Sequence, residues 1–225
     1  MIIVTGASRG LGDAIAHRLL DLGHDVIGLA RDVSRLQFDG LQCDVSSYEQ
    51  VKSVAQELKK RKVHLKGLVN AAGIASMNLA LTTPPKITQD LIQTNLVGTI
   101  YCCQLFAPLL VRRKSGSIIN FSTIAVAIGL KGESIYAASK AGVEGFSRSF
   151  AREMADFNVR VNCISPGPIN TDLLKGVSQI LIDRVVNHQV IPKQFVPSDV
   201  CDLVELLFDS KSSSLSGQVL NVGGA

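Results

Sequence analysis

The sequence predicts an α/β domain built on a parallel sheet, and three observations predict it. Short β-branched runs alternate with amphipathic helical patterns along the chain. The first of these runs passes through a glycine-rich turn directly into a helix. The 225 residues contain no internal repeat, low-complexity segment or linker, so a single domain accommodates them. Strands alternating with helices imply parallel pairing through right-handed crossovers.

Ile2-Ile3-Val4 is the first strand and leads into Thr5-Gly6-Ala7-Ser8-Arg9-Gly10-Leu11-Gly12. A helical pattern follows, with Ile15, Leu19 and Leu22 on one face and Gly23 as its stop. Strand, glycine turn and helix together are the context a dinucleotide fingerprint requires. Gly6 permits the tight turn, Gly10 lets a pyrophosphate approach the backbone, and Gly12 allows close packing of helix on strand. Ser8, Arg9 and Leu11 lie between them, at a helix start whose free N–H groups face the phosphates. The spacing is GxxxGxG, not the GxGxxG of the general fingerprint.

Residues 25–30 form the second strand, which ends at Arg31. An acidic side chain at such a strand end usually holds the ribose 2′-hydroxyl. Here Arg31 and Arg9 instead offer two guanidiniums, which suit a 2′-phosphate. The expected cofactor is therefore NADPH, with Asp32 the one residue arguing against it.

Residues 40–43 form a short third strand ending at Asp44-Val45. Asp44 either accepts from an adenine amino group or caps the helix beginning near Ser46-Ser47. That helix, about 48–62, has Val51, Val54, Ala55 and Leu58 on one face. Strand four, 65–69, ends at Asn70-Ala71-Ala72-Gly73, small residues that let a ribose pack closely. After Pro84-Pro85 a helix runs over about 87–112. It contains Asn95, which is unfavourable in mid-helix and so calls for a partner. Strand five, 116–121, ends at Ser122-Thr123.

The next helix, running to about Met154, carries Tyr136 and Lys140 near its start, one turn apart on one face. An ammonium beside a phenol favours the phenolate, and a shift of three units is worth roughly 4 kcal/mol. Such a tyrosine is a candidate general acid/base for moving a proton at an oxygen. Strand six, 159–164, opens into the loop Ser165-Pro166-Gly167-Pro168-Ile169-Asn170-Thr171-Asp172. Helices over about 178–188 and 198–208 then lead to the last strand and turn, 217–224.

Composition narrows the partners. Hydrophobic content of 46% and charged content of 19% are globular values, and with no Trp the core must be mostly aliphatic. The net charge of +4 is mild and scattered. Lys59-Lys60-Arg61-Lys62 reads as the solvated end of a surface helix, not a nucleic-acid contact. Arg112-Arg113-Lys114 closes another helix, where positive charge suits the dipole. Five cysteines without CxxC spacing predict reduced core thiols, with no disulfide and no zinc. With Met1 already in the first strand and no apolar run of about 20 residues, a soluble cytoplasmic chain without signal peptide or membrane span is expected.

Taken in order, Thr5-Gly6…Gly10…Gly12, Asn70-Ala71-Ala72-Gly73, Asn95, Tyr136…Lys140 and Pro166-Gly167 resemble the short-chain dehydrogenase/reductase family over essentially the whole chain. The opening and the GQVLNVGG ending look most like its 3-oxoacyl-(acyl-carrier-protein) reductase type. The resemblance implies a doubly wound Rossmann sheet of seven strands in three α/β/α layers. It also implies hydride transfer between nicotinamide and a carbonyl or alcohol. By position, Tyr136 would be the proton carrier, and Lys140 would lower its pKa and bind the nicotinamide ribose. Asn95 would hold a proton-relay water, while Ile169 and Thr171 would contact the carboxamide and pyrophosphate. Asp44, Val45, Asn70, Ala71, Ala72, Gly73, Pro166 and Gly167 join the cofactor-binding set.

The family's serine falls at Thr123, with Ser122 one residue earlier. Neighbours in a strand point to opposite faces, so one hydroxyl reaches the substrate, and register favours Thr123. Ala71 replaces the second Asn of the family's NNAG element. The resemblance also implies a homodimer or homotetramer through the two long helices, with Leu105, Phe106, Phe146 and Phe150 placed to serve. The expected substrate is a small carbonyl, carrier-bound if Arg112-Arg113-Lys114 meets an acidic carrier. The alternatives are a secondary-metabolite or sugar-type dehydrogenase and a non-catalytic cofactor-binding protein. Residues around 75–85, 124–133 and 172–197 would line the pocket, with Leu173, Leu174, Ile180, Leu181 and 190–193 as a partly apolar lid.

Overall fold

The computed structural model describes residues 1–171, 174 and 177–224. Among them are seven strands: β1 (Ile2–Thr5), β2 (Val26–Ala30), β3 (Gly40–Gln42), β4 (Gly67–Asn70), β5 (Gly116–Phe121), β6 (Val159–Pro166) and β7 (Val219–Val222). They make one sheet in the order β3-β2-β1-β4-β5-β6-β7, with every neighbouring pair parallel. The order reverses between β1 and β4. The crevice beyond their carboxyl ends is where ligands of such sheets bind.

The period-two alternation of side chains sorts the core into two layers. Ile2 and Val4 of β1 pack on one face with Ile15, Ala16 and Leu19 of α1 (Gly10–Asp21) and Val200, Cys201, Val204 and Leu207 of α8 (Pro197–Phe208). Ile3 points the other way, toward Val51, Val54, Ala55 and Leu58 of α2 (Tyr48–Lys60), Cys102, Phe106 and Leu110 of α4 (Gly98–Val111), and Phe150 of α6 (Ser134–Ala155). The face expected for α2 is the buried one. In α1 the expectation fails at Leu22, which is 44% exposed: the helix ends at Asp21, so Leu22 lies beyond the last turn.

The start of α1 lies close against the turn after β1 at Gly12. A Cβ there would lie 2.4 Å from the Gly6 carbonyl oxygen, and that oxygen belongs to rigid backbone. Gly12→Ala is therefore expected to cost about 1–3 kcal/mol by overpacking. Thermal unfolding should read this as a loss of several degrees at about 2–4 °C per kcal/mol. An unchanged midpoint would mean that the contact is loose.

The long helix differs from the regular one expected over 87–112. It runs from Pro85 to Val111, as α3 (Pro85–Leu91), a π-helical turn (Ile92–Val97) and α4. It is also the one helix among the described residues long and apolar enough by length and composition to cross a membrane, contrary to the expectation that no segment qualifies. Leu91, Asn95, Thr99, Cys102, Phe106 and Leu110 are all buried, so a stripe of this helix packs into the protein interior.

Two of the four expected interface residues turn inward. Phe106 is 0% exposed, and Phe150 is buried against the same core. Leu105 and Phe146 remain partly exposed, and the Phe146 ring stacks on Phe150 with centroids 5.1 Å apart. All five cysteines are free and buried. Burial raises the thiols, Cys43 and Cys201 to about 11 and Cys103 and Cys163 to about 12, which makes them poor nucleophiles at neutral pH. A short helix the sequence did not predict, α5 (Ala125–Ile128), and α7 (Gln179–His188) complete the elements used below.

Candidate active site

The site forms where α6 crosses the carboxyl end of β5. Tyr136, Lys140 and Glu144 follow one another at four-residue intervals and share one helix face, all buried. Lys140 Nζ donates to the Phe121 carbonyl oxygen at 2.9 Å. Ser122 Oγ donates to Glu144 Oε1 at 2.7 Å. The Thr123 hydroxyl, in contrast, accepts from Ala125 N at 3.3 Å and lies near enough to the Tyr136 phenol to act on its pKa. The two adjacent hydroxyls thus point to different neighbours, and Thr123 is the one beside Tyr136.

The electrostatics differ from the expected ion-pair tuning. Tyr136 is 8% exposed, and burial pushes its pKa well above the ordinary tyrosine value. The nearby Glu133 carboxylate raises it further, and the Thr123 hydroxyl pulls the other way. The Lys140 ammonium is not among the groups that move the phenol. Lys140, 6% exposed, is itself lowered from 10.5 to about 8, because burial disfavours its charged form. The expectation that Lys140 lowers the phenol is therefore corrected: desolvation of both groups dominates. Burial also raises Glu133, the residue just before α6.

Asn95 lies in the π turn. Its Oδ1 accepts from Ile74 N at 2.9 Å, and its Nδ2 donates to Ile74 O at 2.9 Å and to Ser139 Oγ at 3.1 Å. Both ends of the amide bond to protein. It clamps the loop after β4. A Cβ on Gly73 would sit 3.3 Å from Asn95 Oδ1 and 3.5 Å from Lys140 Nζ, so a side chain there would press on Asn95.

The crevice fits a dinucleotide. Gly10 has φ +61, a conformation that favours glycine, and among the described residues a Cβ there would meet only Thr171 Cβ, at 3.8 Å. Gly6 lies against the backbone of Ala71 and Ala72, and Ala72 N donates to Thr5 Oγ1 at 3.0 Å. Ser8 and Leu11 are partly exposed and Arg9 is exposed along this turn. Arg31 is exposed at the tip of β2. The Asp32 carboxylate beside it accepts from Ser34 N at 3.0 Å and Ser34 Oγ at 2.6 Å, and these bonds hold its pKa below the usual value. It is thus turned into its own loop.

Several expected cofactor contacts are placed differently. Asn70 points into the core: its Nδ2 donates to Asn120 Oδ1 at 2.8 Å, and its buried Oδ1 has no partner among the described residues. Val45 is buried against Gly98 of the long helix. Asp44 does not cap α2; Ser47 does, accepting from Gln50 N. Asp44 Oδ1 instead accepts from Ser46 N and Oγ at 2.9 and 2.7 Å. Pro166 ends β6, and Gly167 N donates to Val222 O at 3.1 Å. Ile169 is buried and bridges to Phe195, and Thr171 is half-buried. Leu173 and Asp172 lie outside the described residues, and Leu174 is half-buried. Ile180, Leu181, Val190 and Ile191 are exposed.

Arg112-Arg113-Lys114 sits at the opposite end of β5 from Thr123. It follows α4 and precedes Gly116, the first residue of β5, whereas Thr123 lies beyond the last, Phe121. A six-residue strand spans about 20 Å, so these side chains lie about that far from Thr123.

Sequence reasoning missed Glu133, Ser139 and Glu144. The signal for Glu144 was present, because it continues the Tyr136–Lys140 stripe by one more turn.

The comparisons agree with this geometry. The family model for short chain dehydrogenases matches residues 1–180. The 3-oxoacyl-[acyl-carrier-protein] reductase FabG of Staphylococcus aureus (strain Mu50) is 32% identical, over 99% of this chain and 96% of that relative. The solved structure of Thermoplasma acidophilum aldohexose dehydrogenase in ligand-free form is 31% identical, with a TM-score of 0.90 over 99% of this chain and 92% of that one. ElxO with NADP bound is 26% identical, with a TM-score of 0.89 over 98% and 96%. Sequence, fold and site converge: the chain belongs to the short-chain dehydrogenase family, oxidoreductases that use nicotinamide cofactors.

Proposed function

We propose that the chain is an NADPH-dependent reductase of ketones, with Tyr136 as the proton donor to the carbonyl oxygen. The carrying observation is the buried phenol beside the Thr123 hydroxyl. A phenol raised by burial keeps its proton at neutral pH, and that is the form needed to protonate an oxygen during reduction. The nicotinamide group, when bound, supplies the hydride. Thr123 donates a hydrogen bond to the same carbonyl oxygen. Lys140 spends one of its three N–H donors on Phe121 O, leaving two for the nicotinamide ribose. Asn95 keeps the Gly73–Ile74 loop against them.

Gly6, Ser8, Gly10, Leu11 and Gly12 receive the pyrophosphate at the start of α1. The backbone of Asn70, Ala71, Ala72 and Gly73 would wall the ribose side, and the backbone of Asp44 and Val45 would bound the adenine. Pro166, Gly167, Ile169 and Thr171 flank the carboxamide. Arg9 and Arg31 hold the 2′-phosphate, while the Asp32 carboxylate is engaged by Ser34 and paired with Arg35 at 3.7 Å. The substrate is a 3-oxoacyl thioester or a similar small carbonyl. Support comes from the likeness to FabG and from the segment between Gly73 and Pro85, which carries no charged residue. A sugar-type substrate is the second reading, favoured by the Glu133 carboxylate near the phenol, which offers an acceptor to a hydroxyl. We read the chain as a cytoplasmic homo-oligomer, joined through Leu105 and Phe146 on the outer faces of α4 and α6.

The test is turnover of a panel of ketones, 3-oxoacyl thioesters and aldoses with NADPH and with NADH. NADPH is expected to win, and Arg31→Ala to lose about 10- to 100-fold in kcat/KM for NADPH while sparing NADH, as expected for one charge-assisted bond. Equal rates with both cofactors would overturn the cofactor assignment. Tight NADPH binding without turnover of any substrate would favour a non-catalytic binding protein.

A further inference from the structure

Glu144 is a buried carboxylate to which the mechanism above gives no role, and it touches the residue preceding Thr123. Its Oε1 accepts from the buried Ser122 hydroxyl at 2.7 Å. Its Oε2 accepts from Arg148 Nη2 at 3.2 Å, across the next turn of α6. Glu144 also acts electrostatically on the Cys163 thiol of β6, as do Lys140 and Arg148. The surrounding backbone is pinned to β6: Ser122 N donates to Ile164 O at 2.8 Å and Ile124 N to Pro166 O at 3.0 Å.

The last residue of β5 and the two that follow it each meet a different turn of α6. Lys140 takes the Phe121 carbonyl, Glu144 the Ser122 hydroxyl, and Tyr136 meets Thr123. A carboxylate is costly to bury, and an aliphatic side chain would fill the same space without that cost. Its presence here points to a demand other than packing.

We propose that Glu144 is a positioning residue that selects between the two adjacent hydroxyls. By tying Ser122 back under α6, it turns that hydroxyl away from the site and fixes the backbone so that Thr123 faces Tyr136. This rests on the reading of Tyr136 and Thr123 as the reacting pair. Ser122 is then the anchor and Thr123 the group that meets substrate.

The test is a mutant cycle on kcat, KM and NADPH dissociation constant for Ser122→Ala, Glu144→Leu, Glu144→Gln and the Ser122→Ala/Glu144→Leu double variant. Ser122→Ala and Glu144→Leu should each lower kcat by about 10- to 30-fold, since misplacement of a reacting group by about 1 Å can cost up to about 100-fold. The NADPH dissociation constant, read by fluorescence titration, should stay within about twofold. The double variant should be no slower than the worse single, because both break one contact. Glu144→Gln, whose amide oxygen still accepts from Ser122, should recover at least about a third of wild-type kcat.

Additive losses, an unchanged kcat in both single variants, or a Gln variant as slow as the Leu variant would each overturn the proposal. Should Glu144→Leu fail to fold, Ser122→Ala and Glu144→Gln carry the test alone. Tyr136→Phe and Thr123→Ala are measured alongside. If those two keep wild-type turnover, the reading of the reacting pair falls. If they lose it while Ser122→Ala and Glu144→Leu do not, only this inference falls.

Discussion

Tyr136→Phe should slow ketone reduction by about 100- to 10,000-fold, the range expected when a positioned general acid is removed. Only the hydroxyl is lost, and the ring keeps its packing in a site where the residue is 8% exposed. NADPH affinity and thermal midpoint should therefore stay near wild type. The loss should appear in kcat more than in KM, because the proton is delivered at the transition state. The phenol's own titration lies far above neutral, so it does not limit the pH profile below that range. The limiting group on the alkaline side is Lys140. It carries charge below about 8 and loses it above, so kcat/KM for reduction should fall as pH rises through about 8. A Tyr136→Phe enzyme that keeps wild-type rates would remove the phenol from the mechanism.

Lys140→Met should be nearly inactive and yet more stable than wild type at pH 7. In the folded protein the ammonium is depressed from 10.5 to about 8, so folding works against its charge. That depression is worth on the order of 3 kcal/mol. Removing the donor to Phe121 O costs about 1–2 kcal/mol, which leaves the variant ahead by about 1–2 kcal/mol. The cost to wild type is fully present below pH 8, where folded and unfolded chains both carry the proton. Between pH 8 and 10.5 the folded chain has released it while the unfolded chain still holds it, so wild-type stability gains on the variant as pH rises. The other ionisable groups are common to both proteins and largely cancel in the comparison. Thermal unfolding of the cofactor-free proteins at pH 7 and pH 10 should show a lead of a few degrees that shrinks at the higher pH. A variant less stable than wild type at pH 7 would mean that burial of the ammonium is well compensated.

Much of the architecture was legible because burial leaves a period in the sequence. The four apolar positions of α2 name its inner face, and the alternation along β1 divides the two layers. The long helix was harder. It is apolar around most of its circumference, so periodicity cannot say whether Phe106 or Leu105 faces the sheet. Its π turn comes from hydrogen bonding between backbone groups, which no side-chain pattern encodes; Asn95 was the only trace. At the site, the spacing of Tyr136 and Lys140 revealed their shared face but not how thoroughly water is excluded from it. That exclusion reverses the direction in which the phenol moves. The choice between Ser122 and Thr123 depended on Glu144, a partner that only the packing of α6 on β5 brings near.

The position of Arg112-Arg113-Lys114, a strand's length from Thr123, has a consequence for how a bulky substrate arrives. In the segments proposed to line the pocket, Met77, Leu79, Leu81, Val190 and Ile191 leave hydrocarbon facing the solvent, and we infer that a carrier presenting the carbonyl would approach over them. Leu81 is 98% exposed there. Encounter over such a surface gains little from long-range attraction, so raising ionic strength should barely slow it.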